Sequence, residues 1–200
     1  SDLRMIAYTS VNHMGYIVLA LGAVGLIAGD TAQARSVAVT GAVVQMVSHG
    51  LITAALFLLA GVMHTRAGTY DLGSYGGLAK PAPRYATLFA VAAFASLGLP
   101  GLSGFIAEFQ IFAGSIAVAP VAAIALPGIL VTAALFLLAL QRVFTGPTQG
   151  QSPGFADLHG RELWSVGPLL ALSLLIGVLP QVLLGVIEPA SAALVDLVGR

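Results

Sequence analysis

Long apolar runs alternate along the whole chain with short stretches that are charged or rich in glycine and proline. A bilayer core about 30 Å thick takes around 20 apolar residues of helix. Six intervals answer to that length: residues 5–28, 37–63, 85–99, 103–118, 121–141 and 163–187. The first lies between Arg4 and Asp30 and the second between Arg35 and Arg66. The third is short for a straight crossing and runs into Leu99-Pro100-Gly101, where Pro100 and Gly101 mark a helix break. Pro120 and Pro127 mark the junction of the fourth and fifth. Two polar loops, 65–84 and 142–162, carry glycines and prolines and are too small to fold alone. The pattern predicts an all-α polytopic membrane protein, one transmembrane domain of about six helices over residues 1–200. Gly15, Gly22 and Gly25 read as sites of close helix packing.

Composition agrees: of 200 residues 58% are hydrophobic and only 8% charged, which is not a soluble core inside a polar surface. Eight Lys+Arg balance eight Asp+Glu, so there is no basic patch for nucleic acid. Without cysteine the chain makes no disulfide, thiolate zinc site or cysteine-ligated iron–sulfur cluster. Six separate crossings would place Arg4, Arg66, Lys80, Arg84 and Arg200 on one face and Arg35, Arg142 and Arg161 on the other, too even a division to orient the protein. The opening Ser-Asp-Leu-Arg, without an initiator methionine, suggests a mature or truncated chain.

Function is read from residues that do not belong in lipid, because an ionisable side chain there normally faces a bundle interior or a wet path. His13 lies within the first span and shares a helical face with Thr9, Asn12 and Tyr16. His49 lies near the middle of the second, with Gln45 and Thr53 one turn to either side. Glu108 is the one carboxylate inside a span, in Gly104-Phe105-Ile106-Ala107-Glu108-Phe109. His13 reads equally as a head-group anchor. Glu108 is interfacial if its helix starts at Ser103 in the head-group layer, and deep if Pro100-Gly101 lies inside the membrane. Two imidazoles and a carboxylate on three helices form a proton relay; imidazole titrates ordinarily near pH 6.5. Haem ligation by His13 and His49 is the competing redox reading, and a structural scaffold the bland one. No metal-ligand set of ordinary spacing is present.

Several motifs occur in order: residues 2–15 (Asp2-Leu3-Arg4 to Asn12-His13-Met14-Gly15), Gln45-Met46-Val47-Ser48-His49-Gly50-Leu51, Gly76-Gly77-Leu78, and Leu97-Gly98-Leu99-Pro100-Gly101 followed by the Glu108 segment. Together they resemble the antiporter-like membrane subunits of respiratory complex I, above all the subunit M branch of NADH-quinone oxidoreductase. Asp157-Leu158-His159-Gly160-Arg161-Glu162-Leu163 and Gly177-Val178-Leu179-Pro180-Gln181 extend the likeness over nearly the whole chain. Related subunits occur in membrane-bound hydrogenases and multisubunit Na+/H+ antiporters. The resemblance implies about fourteen helices in two inverted repeats, of which this chain would be the second plus a last helix. The remainder of the subunit would be supplied elsewhere.

The resemblance also implies proton translocation in response to quinone reduction, through His49, His13 and Glu108, the last where sister subunits carry lysine on an interrupted helix. Flavin, iron–sulfur clusters and quinone would sit on other subunits, with no cofactor on this chain. Its partners would be sister antiporter-like and other membrane-arm subunits and the lipid of a bacterial inner membrane. Leu3-Arg4, where the family usually has a basic pair, is a departure.

Overall fold

The structure, a computed structural model, describes residues 2–27 and 31–199. The expected end of the first span at Ala28, its bounding Asp30, and Arg200 lie outside those residues. Seven α-helices are described: α1 (Asp2–Val24), α2 (Ala32–Ala67), α3 (Pro83–Ser96), α4 (Ser103–Val118), α5 (Pro127–Phe144), α6 (Gly160–Val178) and α7 (Gln181–Val198). A 3-10 turn, Pro120–Ala125, leads into α5, so Pro120 closes the path of α4 and the fifth helix begins later than expected. Four helical segments are long and apolar enough to cross a membrane: α2, residues 120–144, α6 and α7. Leucines and valines such as Leu130, Leu138 and Val186 stand exposed on the outer surface, as lipid-facing positions do. The protein is a multi-pass integral membrane protein.

The 36 residues of α2 make an unbroken rod of about 54 Å; α1, α3, α4, α6 and α7 pack along it, and α5 packs on α1 and α3. α3 and α4 run end to end antiparallel to α2. Tyr85 at the start of α3 donates its hydroxyl to Leu59 O (2.9 Å), Ser103 at the start of α4 meets Ser48, and Gly114 near the end of α4 packs on Ala38. The expected third and fourth spans are therefore two halves of one path. Leu97–Leu102 breaks it because Pro100 cannot continue the backbone ladder and Gly98 and Gly101 turn with φ of 72° and 97°.

The expected sixth span, 163–187, is likewise divided. α6 ends at Val178, Pro180 precedes α7, and α7 continues along α2 as far as a cluster of Val24, Val39 and Val195. Proline lacks the N–H needed to extend α6. The seven helices thus make five paths through the bundle.

At one face β1 (Tyr75–Gly76) pairs antiparallel with β2 (Gln149–Gly150), clasping the two polar loops together. Arg66 Nη2 at the end of α2 donates to Glu162 Oε2 at the start of α6 (2.6 Å). Asp157 caps α3 from a distance, accepting from the amides of Arg84 (3.0 Å), Tyr85 (2.9 Å) and Leu158 (2.8 Å). Partial burial pushes the Asp157 carboxyl upward, but these amides and the nearby Arg84 charge outweigh it and hold the group below the ordinary carboxylate range.

Five paths correct the distribution of charge expected from six crossings. Arg4 and Arg142 border one groove, so Arg142 belongs on the face of Arg4. Together with Arg66, Lys80, Arg84 and Arg161 they lie at the clasp face, and among the described residues only Arg35 lies at the opposite one. A second expectation also fails. Gly15 and Gly22 have open space where a side chain would stand, and Gly25 meets only Gly22 O. These glycines face away from α2; close backbone approaches occur instead at Gly41 and Gly114, where α2 and α4 meet.

Candidate proton-relay site

Three paths bring His13, His49 and Glu108 to one place, whereas Glu188, exposed within α7, stands apart from them. His13 on α1 is 5% exposed and Glu108 on α4 is 7% exposed; His49 on α2 is partly buried. His49 stands 17 residues after Ala32 and 18 before Ala67, the midpoint of the longest rod. The rings of His13 and His49 meet edge to face with centroids 5.5 Å apart. Glu108 Oε1 lies 3.6 Å from His13 Nε2, within ion-pair range though longer than a direct hydrogen bond. Glu108 is deep, because the break at Leu97–Leu102 is inside the bundle rather than at its edge.

The break makes the site. Ending α3 at Ser96 frees a carbonyl that a continuous helix would have paired, and His13 Nε2 donates to that oxygen at 3.1 Å. The carbonyl only accepts, so this bond places the ring proton on Nε2. The turn also lets Gly98 approach the carboxylate: a Cβ there would lie 2.6 Å from Glu108 Oε2.

His13, Gln45, Ser48, His49, Ser96 and Glu108 are among the residues lining a small cavity. Its volume of ≈ 10 Å³ is at the lower limit for one water. Gln45 Oε1 is buried there with no partner among the described residues, an acceptor that a bridging water suits. Thr53 Oγ1 lies 3.2 Å from His49 Nδ1. A chain of imidazole, carboxyl, amide and hydroxyl groups at such spacing can pass a proton by short hops through at most one intervening water. It has no room for a porphyrin, so the haem reading has no place here. Among the described residues, no three His, Asp or Glu are arranged to hold a metal ion.

The remaining expected residues divide. Asn12 Nδ2 ties α1 to α5, lying 2.8 Å from Thr132 Oγ1, 3.1 Å from Gly128 O and 2.9 Å from the Tyr16 hydroxyl. Tyr16 packs edge to face on Phe112, with centroids 5.0 Å apart. Both stand beside the cavity rather than in it. Thr9 does not join the cluster: its hydroxyl donates to Ile6 O one turn back. Sequence reasoning missed Ser48, the Ser96 carbonyl, Ser103, Ser173 and Thr132. Ser48 had a signal, being next to His49, and Ser103 follows the break directly; nothing marks Ser173 or Thr132.

Comparison with known proteins places this geometry. Residues 2–136 match the family described as NADH:quinone oxidoreductase/Mrp antiporter, transmembrane. The chain is 39% identical over 199 residues to NADH-quinone oxidoreductase subunit M of Mycobacterium tuberculosis, covering 99% of this chain and 34% of that protein. It is 39% identical over 195 residues to the subunit of the same name from Rhodobacter capsulatus, covering 96% of this chain and 36% of the relative. Identity is again 39% over 195 residues to F(420)H(2) dehydrogenase subunit M of Methanosarcina mazei, covering 97% and 37%. Among solved structures, a chain of respiratory complex I from Thermus thermophilus with bound NADH superposes with a TM-score of 0.84 at 33% identity, covering 98% of this chain and 39% of that one. The chain spans about a third of the length of these curated relatives.

Proposed function

From the chain's membership of the NADH:quinone oxidoreductase/Mrp antiporter transmembrane family, we propose that it is part of a proton-translocating membrane-arm subunit of an NADH:quinone oxidoreductase. Protons pass between His49, His13 and Glu108. The observation that carries this reading is the meeting of a buried carboxyl and two imidazoles around a water-sized cavity, 3.6 Å separating Glu108 from His13. Nothing on this chain needs to be oxidised or reduced for that role. Flavin, iron–sulfur clusters and quinone belong on other subunits, and quinone reduction there drives the relay by shifting the population of its protonation and hydration states. Equal identity to a subunit of an F(420)H(2) dehydrogenase supports placing the choice of electron donor elsewhere.

The partners in this reading are sister antiporter-like subunits, other membrane-arm subunits, further segments of the same subunit, and the lipid of a bacterial inner membrane. Among the described residues, six Lys and Arg at the clasp face against Arg35 opposite favour the cytoplasm for the clasp face by the positive-inside rule.

The test is Glu108→Gln in the assembled complex, which removes the exchangeable proton and nearly preserves shape. In inverted membrane vesicles, with assembly checked by native gel, proton uptake coupled to quinone reduction is expected to fall sharply. Uptake and quinone reduction at wild-type levels would overturn the relay. Wild-type uptake is expected to be indifferent to sodium; a sodium requirement would move the chain to the Na+/H+ antiporter branch.

A further inference from the structure

Three serines from three helices form a continuous buried string that ends at the relay cavity. Ser48 on α2, Ser103 at the first position of α4 and Ser173 on α6 are 1%, 0% and 0% exposed. Ser48 Oγ lies 2.7 Å from Ser103 Oγ, and Ser103 Oγ 2.7 Å from Ser173 Oγ, ordinary lengths for strong hydroxyl hydrogen bonds. The string starts where α4 needs help. Leu102 at its N-cap offers no side-chain acceptor, and the Ser103 amide donates instead to Ser173 Oγ at 3.4 Å.

The string joins the start of α4 to the cavity wall. A hydroxyl has one proton to donate and two lone pairs to accept with. In both serine–serine links either hydroxyl can donate, and Ser173 Oγ also accepts the Ser103 amide. Ser48 lines the cavity together with His13, Gln45, His49 and Glu108. α6 also packs closely on the break one turn beyond Ser173, where Gly177 abuts Gly101 O with no space for a side chain.

We propose that Ser103 is a positioning residue of the relay, acting with Ser173 and Ser48: the string fixes the start of α4, and so the depth of Glu108, and ties it to the cavity wall at Ser48. This rests on the relay reading above. Glu108 is five residues, about 7.5 Å of rigid helix, beyond Ser103, so a shift of the helix start carries the carboxyl with it. Serines that merely glue helices would contribute separately to stability; a bonded string that positions one helix start acts as one unit.

The experiment uses the assembled complex in inverted vesicles with Ser103→Ala, Ser173→Ala, both together, Ser103→Thr, and Glu108→Gln as reference. Two quantities are read: protons taken up per quinone reduced, and the infrared band of the Glu108 carboxyl, identified as the band lost in Glu108→Gln. Ser103→Ala is expected to lower uptake several-fold and displace the band. Ser173→Ala does the same, the double variant is no worse than Ser103→Ala, and Ser103→Thr restores both readouts. Unchanged uptake and band in the two alanine variants would overturn the proposal, as would losses that multiply independently in the double variant. If Ser103→Ala fails to assemble, Ser173→Ala, which leaves α4 intact, carries the decision alone. Wild-type uptake in Glu108→Gln would sink the relay reading itself. A defective Glu108→Gln beside normal serine variants would sink this inference alone.

Discussion

Gly98→Ala puts a methyl group where the α3–α4 turn and the relay carboxyl meet. Two costs follow from the structure. At φ of 72° an L-residue is strained by roughly 1–2 kcal/mol. The new Cβ would also stand 2.6 Å from Glu108 Oε2, where ordinary contact begins at 3.4 Å, so the carboxylate must retreat by about 0.8 Å. Displacement on the order of 1 Å costs a positioned group up to ~100-fold in rate. Gly68→Ala is the matched control: Gly68 at the end of α2 has φ of 70° and nothing within 4 Å of its would-be Cβ. Both variants should lose similar thermal stability, while only Gly98→Ala should lose proton uptake, by roughly tenfold or more, in vesicles normalised to assembled complex. Equal uptake in the two variants would refute the reasoning that the turn glycine exists to admit the carboxylate.

Asp157→Ala removes the distant cap of α3 and should cost about 1 kcal/mol of stability. Because the folded carboxyl titrates below its ordinary value near 3.9, the contribution of Asp157 is complete above that pH and disappears as pH falls through the lower folded value. The gap in melting temperature between wild type and variant in detergent should therefore hold constant above about pH 5 and close only in strong acid. Asn12→Leu cuts the tie from α1 to α5 and should lower stability by about 0.6–1.7 kcal/mol, read by thermal unfolding in detergent. The chain contains no cysteine, so Lys80→Cys and Gln33→Cys give clean labelling sites on the clasp face and the opposite face. An impermeant thiol reagent should reach the first only from the cytoplasmic side and the second only from the other, and the reverse pattern would overturn the orientation.

His13, His49 and Glu108 were legible because each is an ionisable group within an expected apolar span, and lipid leaves such a group few roles. Their convergence was not legible in detail, since it depends on Pro100 and Gly101 lying inside one path rather than between two crossings. A proline at a membrane surface and one in mid-bundle look alike in sequence. That ambiguity sent Arg142 and Arg161 to the wrong face, because one miscounted crossing inverts every charge after it. Ser103 and Ser173 escaped notice for another reason. Serine in a membrane helix usually satisfies itself on a carbonyl one turn back, as Ser10 does on Ile6 O, and only the packed structure distinguishes a serine bonded across helices.

The midpoint position of His49 on α2 has an electrical meaning. Moving one elementary charge across the whole membrane against 100 mV is worth about 2.3 kcal/mol. A proton held halfway across has met about half of that drop, roughly 1.1 kcal/mol, equivalent to about a sevenfold change in occupancy. In the proposed relay the histidine would be a voltmeter as well as a stepping stone: as the membrane charges, the field itself would tilt which side the site exchanges its proton with.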